Sequence, residues 1–269
     1  MVVEKRADAE ASALFFVVRL FRLCFRGYIA YTETGKEPVP WIVMRQENEQ
    51  MESRIALYRK LMDELNALED ASLAVARALE IAGEARGKGD EGFALFFEGE
   101  ALCLQGKLNE GAALQHKAAV LHPDAVFILA NYAVVLSRLG RVKQALSHLD
   151  HALDLEPRDL LAVSQKSICL CKLYRDQEAL EWFDLALRIE PNDAHALRNK
   201  GVALSRLGRS GEAMVCFDRV LDRDPDDRHA QAEKKILEDE LILRKTPFGW
   251  LILWFRKKLT PAIMRAVRS

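Results

Sequence analysis

Residues 196–225 read ALRNKGVALSRLGRSGEAMVCFDRVLDRDP. Within this stretch stand a small residue at Gly201, a leucine at Leu204, a turn glycine at Gly208, a second small residue at Ala213, a ring at Phe217 and a proline at Pro225. Working upstream, the same features return at a fixed interval. Pro123, Pro157, Pro191 and Pro225 are each 34 residues apart. Gly99, Ala133, Ser167 and Gly201 form one small-residue series, and Gly111, Ala145, Ala179 and Ala213 another. Leu102, Leu136, Leu170 and Leu204 keep one leucine register, and Ala118, Ala152 and Ala186 a third small position. A period of this length marks a stacked repeat, in which one helical hairpin buries its apolar face on the next.

Each unit divides into two helices, A and B. In the second unit, Asp124–Leu139 is expected as helix A and Val142–Leu155 as helix B, with Gly140 at the break. A helix end favours left-handed backbone, which glycine adopts without strain. Gly106 and Gly208 occupy the same place, and Tyr174 is the exception. The prolines end the B helices, and Asp124, Asp159, Asn192, Asp193 and Asp226 are positioned to cap the following A helices. Small residues where A meets B let the two axes approach closely, while Leu129, Leu149, Phe183 and Phe217 fill the remaining space.

On these residues the chain resembles the tetratricopeptide repeat family, over about residues 90–225. Gly201, Leu204, Gly208, Ala213, Phe217 and Pro225 match the family pattern, whereas Tyr174, Gln115 and Val220 depart from it. The resemblance implies an all-α fold: a right-handed α-solenoid of helix-turn-helix repeats with helical caps. Four 34-residue units are expected at 90–225. A degenerate helical pair at 51–89 (about 52–67 and 71–86) caps one end. One helix at 226–245 caps the other, with Ile236, Leu241 and Leu243 covering the open face.

Composition agrees. The chain has 269 residues, 50% hydrophobic and 29% charged, and a formal net charge of −1. That balance gives no global case for nucleic-acid binding. Aromatic and basic residues are segregated rather than interleaved along a channel, which also argues against RNA. The five cysteines are scattered through apolar sequence and read as buried thiols of a reducing, cytoplasmic compartment. The charge is uneven, however. Residues 51–123 and 124–240 are each net −4, while residues 241–269 carry seven cations and no carboxylate.

That basic tail, 246–269, contains FGWLILWFRKKL, too short to span a bilayer. Two readings stay open. In one, Trp250 and Trp254 sit at the headgroup level of a membrane surface with Arg256, Lys257, Lys258, Arg265 and Arg268 on anionic lipid, making the chain a peripheral membrane adaptor. In the other, the segment folds back onto the solenoid. Residues 1–50 pose a similar question. ALFFVVRLFRLCF is an apolar helix pattern with Arg19, Arg22 and Arg26 in one sector, and Glu4, Asp8 and Glu10 before it argue against a signal peptide. YIAYTETGKEPVPWIVM reads as a hairpin across a Gly/Pro turn. A start at Met44 or Met51, leaving the first 43 residues outside the natural protein, stays open as well.

No catalytic arrangement stands out, and no cofactor or metal is expected. His148 and His151 share a helix with Asp150 and Asp154, yet surface-facing side chains explain them better than a metal does. GKGD lacks both the preceding strand and the Lys-Ser/Thr ending of a phosphate loop. Repeats and caps leave too little chain for an enzyme domain.

Binding is the expected function. The A helices of such a solenoid line its concave face, and equivalent positions form ladders across it. One ladder is Phe97, Asn131, Gln165 and Asn199, whose amides suit the backbone of an extended peptide. A second is Leu104, Arg138, Lys172 and Arg206, which attracts carboxylates. A third, mostly apolar, is Phe93, Phe127, Leu161 and His195, with Phe96 enriching the first unit and Arg198 adding a cation to the last. These residues are the expected groove of a non-catalytic scaffold for a protein or peptide partner. The family's carboxylate clamp for acidic tails is disfavoured, because Phe96, Glu100, Leu161 and Gln165 stand where its outer residues belong. Self-association through the solenoid ends stays open.

Overall fold

The computed structural model describes residues 41–244 and 246, with side chains over 48–243 and at 246. Its chain divides into a unit ending at Leu57 and a second beginning at Tyr58. The described residues are all helix and turn, an all-α helical repeat solenoid. α1 is Trp41–Asn66 and α2 Ala71–Gly87. The four repeat pairs follow: α3 (Glu91–Leu104) with α4 (Leu108–Leu121), α5 (Val126–Arg138) with α6 (Val142–Leu155), α7 (Leu160–Lys172) with α8 (Asp176–Ile189), and α9 (Ala194–Arg206) with α10 (Ser210–Leu221). α11 is Arg228–Arg244. Each A helix packs on its own B helix and on the B helix before it, and α5, α7, α9 and α11 lie against one another in turn.

The turns show why the period is so regular. Gly106, Gly140 and Gly208 have φ near +80°, and Tyr174 takes the same left-handed conformation at φ 59°. At each break the residue after the turn donates its backbone N–H to the repeating leucine: Lys107 to Leu102, Arg141 to Leu136, Arg175 to Leu170, Arg209 to Leu204, all at 2.9–3.0 Å. This bond recovers a carbonyl that the helix end leaves without an intrahelical partner. The small series sit where expected. Ala133, Ala145, Ala152, Ala179, Ala186 and Ala213 are buried, and a methyl built on Gly201 would stand 2.7 Å from the Phe217 ring.

Several local expectations need revision. Trp41–Met44, read as the end of a hairpin, is helical, because no proline or glycine interrupts the 26 residues from Trp41 to Asn66. The rest of that hairpin lies outside the described residues. Asp159 and Asp193 cap α7 and α9 as expected, accepting from the N–H groups of Ala162 and of His195 and Ala196. Asn192 does not, and at α11 the capping carboxylate is Asp227, not Asp226. α5 is preceded by Ala125, with no side-chain cap, so it starts at Val126 rather than Asp124. In α11, Ile236 is exposed. Leu237 and Ala230, seven residues apart and so on one helical face, are the buried pair.

Two ionic motifs repeat with the fold. Lys166 Nζ meets Asp150 at 2.6 Å, Lys200 meets Asp184 at 2.5 Å, and Lys234 meets Asp218 at 2.7 Å. Each joins an A helix, or α11, to the B helix before it. At the first step His116 and Tyr132 replace the pair, with ring centroids 5.8 Å apart. The second motif is Arg175–Glu178 and Arg209–Glu212, both closing the first turn of a B helix.

Candidate partner-binding face

The three ladders fall on one face of the A helices but differ in exposure along the array. Phe93, Phe96 and Phe97 are fully buried, and Phe127 nearly so. Phe96 packs edge-on against Phe127 at 5.2 Å, and Phe93 stacks on His122 at 4.1 Å. These rings therefore act as core and offer little surface to an outside ligand. In the later units the same positions open: Leu161, Gln165, Arg198 and Asn199 are partly accessible, and His195 is exposed.

Over Phe93 and Phe97 lies α1. Tyr58 stacks on Phe93 with centroids 4.2 Å apart and lies 6.1 Å from the Phe97 ring. Its hydroxyl donates to Asp90 Oδ2 at 2.9 Å. Next to it, Arg59 forms a forked pair with Glu156 at 3.0 and 3.1 Å, two units further along the chain. Met62 and Leu65 are buried on the same face of α1. No sequence reading anticipated this contact, since 97 residues separate Arg59 from Glu156 and no period relates them.

The amide ladder is built with a repeating geometry. Asn131 Nδ2 donates to the Phe127 carbonyl at 2.7 Å, and Asn199 Nδ2 to the His195 carbonyl at 2.9 Å. Each amide thus ties its nitrogen to its own helix, and the two Oδ1 atoms have no partner among the described residues. Each side chain keeps its acceptor oxygen and the second N–H of its amide for a ligand.

The cations of the second ladder have internal partners. Lys172 donates to Ser137, and Arg206 donates to the Cys171 carbonyl at 3.0 Å and to Asp176 at 3.1 Å. Arg198 is held by Asp227 at 2.5 Å and by His195 Nδ1 at 2.8 Å. Arg138 is exposed and acts electrostatically on Glu100. Burial pushes the Glu100 carboxyl up to about 7, against a 2.5 Å hydrogen bond from Gln115 Nε2 and the field of Arg138. Gln115, at a position filled by phenylalanine in later units, is fully buried, and its Oε1 has no partner among the described residues.

Reactive groups elsewhere are quiet. Cys103, Cys169 and Cys216 are buried and Cys171 partly so, all four as free thiols. Burial raises Cys103 to about 11 and Cys171 to about 12, the latter with help from Asp176. Neither is a thiolate at neutral pH. Among the described residues no group of three His, Cys, Asp or Glu could hold a metal. His148 packs edge-on against Tyr132 at 4.9 Å. No described helix is long and apolar enough to cross a membrane. Trp250, Trp254, Arg256, Lys257, Lys258 and Cys24 lie outside the described residues.

Comparison with known proteins agrees with the repeat. The tetratricopeptide repeat family matches residues 194–227. No curated protein matches the chain in sequence. Among solved structures, YrrB, described as a TPR protein with an unusual peptide-binding site, is similar at 22% identity and a TM-score of 0.49, covering 78% of this chain and 97% of YrrB. MamA is similar at 17% identity and a TM-score of 0.49, over 58% of this chain and 90% of MamA. The first TPR of Spaghetti (RPAP3), solved with the HSP90 peptide SRMEEVD, is similar at 19% identity and a TM-score of 0.42, over 44% of this chain and 93% of that one. The chain thus carries four helix pairs at a 34-residue interval, and the last of them, residues 194–227, is matched by the tetratricopeptide repeat.

Proposed function

We propose that the chain is a non-catalytic interaction scaffold whose A-helix face over the later units holds an extended segment of a partner protein. The observation carrying this reading is the amide ladder. Asn131 and Asn199, partly exposed at one repeat position, each spend one N–H on their own helix and keep the acceptor oxygen, and the partly exposed Gln165 stands between them in the register. A row of acceptors suits the backbone N–H groups of an extended peptide, whatever its side chains. The surrounding cations add little specificity, since Lys172, Arg198 and Arg206 already have internal partners.

Affinity capture from native lysate, with the full chain as bait, tests the reading. Replacing Asn131, Gln165 and Asn199 together by alanine removes the acceptors without touching the A–B seams. Partner recovery is expected to fall roughly tenfold or more, the loss of about 1.4 kcal/mol, with unchanged far-UV circular dichroism. Undiminished capture by the triple variant refutes the face assignment.

A further inference from the structure

We infer that the aromatic face of α3 and α5 is a docking site for an amphipathic helix, and that residues 58–65 of α1 are its resident, displaceable occupant. The inference rests on reading the array as an interaction scaffold, but it concerns the first units rather than the amide ladder.

The exposure gradient is the first support. The ladder Phe93, Phe127, Leu161, His195 runs from fully buried to exposed along equivalent positions. Equivalent positions in stacked units have similar surroundings unless something further covers some of them. Here the cover is identifiable: Tyr58 lies on Phe93 and Phe97, and Arg59 reaches across to Glu156 at the end of α6. The cover therefore extends from the start of α3 to the entrance of α7.

The second support is how lightly the cover is held. Among the described side chains of α1 only Tyr58, Met62 and Leu65 are buried, at i, i+4 and i+7, a single helical stripe. The Arg59–Glu156 pair is partly exposed on both sides, a class of contact that contributes little. Arg59 Nε is buried without a partner among the described residues. A permanent core contact would normally satisfy such a group. By contrast α2 packs closely on α3 through Ala74, Ala78, Ile81, Ala82 and Ala85. Residues 67–70 join the two helices outside any helix, so α1 can leave without unfolding α2.

The occupant defines the ligand chemistry. The site takes a helix with an aromatic ring whose hydroxyl meets Asp90, a guanidinium one residue later for Glu156, and aliphatic side chains at i+4 and i+7. A partner helix with this pattern competes with α1, and the chain stays closed until that partner is present.

The probe is a fluorescein-labelled synthetic peptide of residues 48–66, titrated by anisotropy into the full chain. The native chain should bind weakly, because its own segment competes at high local concentration. Tyr58→Ala in the chain should tighten binding by roughly tenfold or more and Arg59→Glu by about threefold to fivefold, because the competitor is weakened while the site is intact. Arg59→Glu changes only a partly exposed position, so it keeps the core even where Tyr58→Ala does not. Adding Glu156→Arg to the Arg59→Glu chain should restore weak binding, since it closes the latch again and repels the probe's arginine. Equal affinity of native and variant chains overturns the inference, as does the absence of binding to all of them. Neither result touches the amide-ladder reading, which has its own triple variant.

Discussion

Lys172 Nζ donates to both the backbone carbonyl and the hydroxyl oxygen of Ser137, at 3.0 and 2.8 Å, and Arg206 repeats the contact one unit later on the Cys171 carbonyl. Ser137 and Cys171 lie near the C-terminal ends of α5 and α7, where carbonyls lack intrahelical partners and the helix dipole favours a cation. Two cations of the ladder that sequence alone assigns to ligand attraction thus fasten α7 to α5 and α9 to α7. Arg206→Met should lower stability in urea by about 0.5–1 kcal/mol. Hydrogen exchange should rise along the seam of α7 with α9 and stay unchanged in α3 and α4.

Tyr174 is the one described non-glycine residue with positive φ, and its side chain is 84% exposed. A side chain in left-handed backbone costs about 1–2 kcal/mol. With so little of the ring packed, Tyr174→Gly should stabilise the chain by about 1 kcal/mol, seen as a higher urea midpoint with an unchanged slope. A lower midpoint would show that the ring contributes more than its exposure allows.

Gly201 faces the Phe217 ring with no room for a methyl group, both residues being buried. Gly201→Ala should destabilise by about 1–3 kcal/mol through overpacking. In the second unit the equivalent pair is Ala133 with Leu149. Adding Phe217→Leu should therefore recover part of the loss, a coupling that thermal denaturation of the double variant would measure.

The Glu100 carboxyl titrates near 7 when folded and in the ordinary carboxylate range when unfolded. Between those values the folded chain keeps a proton that the unfolded chain has released, so stability falls as pH rises from about 4.5 to about 7. Glu100→Gln should remove this slope and raise stability at pH 8 by on the order of 2–3 kcal/mol. The same stability at pH 5 and pH 8 in the native chain would contradict the assignment.

What was legible in the sequence was whatever recurs. The leucine series, the turn glycines and the small residues each answer to a local constraint repeated every 34 residues, and α6 begins and ends where the pattern places it. The Lys166, Lys200, Lys234 and Asp150, Asp184, Asp218 series carried the same signal and would have been found by asking for it. The binding face was less legible. Phe93, Phe96 and Phe97 occupy face positions, but whether a face position meets solvent depends on Tyr58 and Arg59, which belong to no repeat. Likewise Lys172 and Arg206 look like free cations until the neighbouring helix end is placed beside them.

The lysine–aspartate contacts have a consequence for how this architecture changes length. Because three successive junctions use the same two charges at the same offset, excising residues 160–193 brings Lys200 into the place of Lys166, opposite Asp150, and strands neither charge. Interchangeable joints of this kind allow whole copies to be lost or duplicated in frame without a fresh mismatch at the splice, so the number of copies is free to drift while the way they join stays constant.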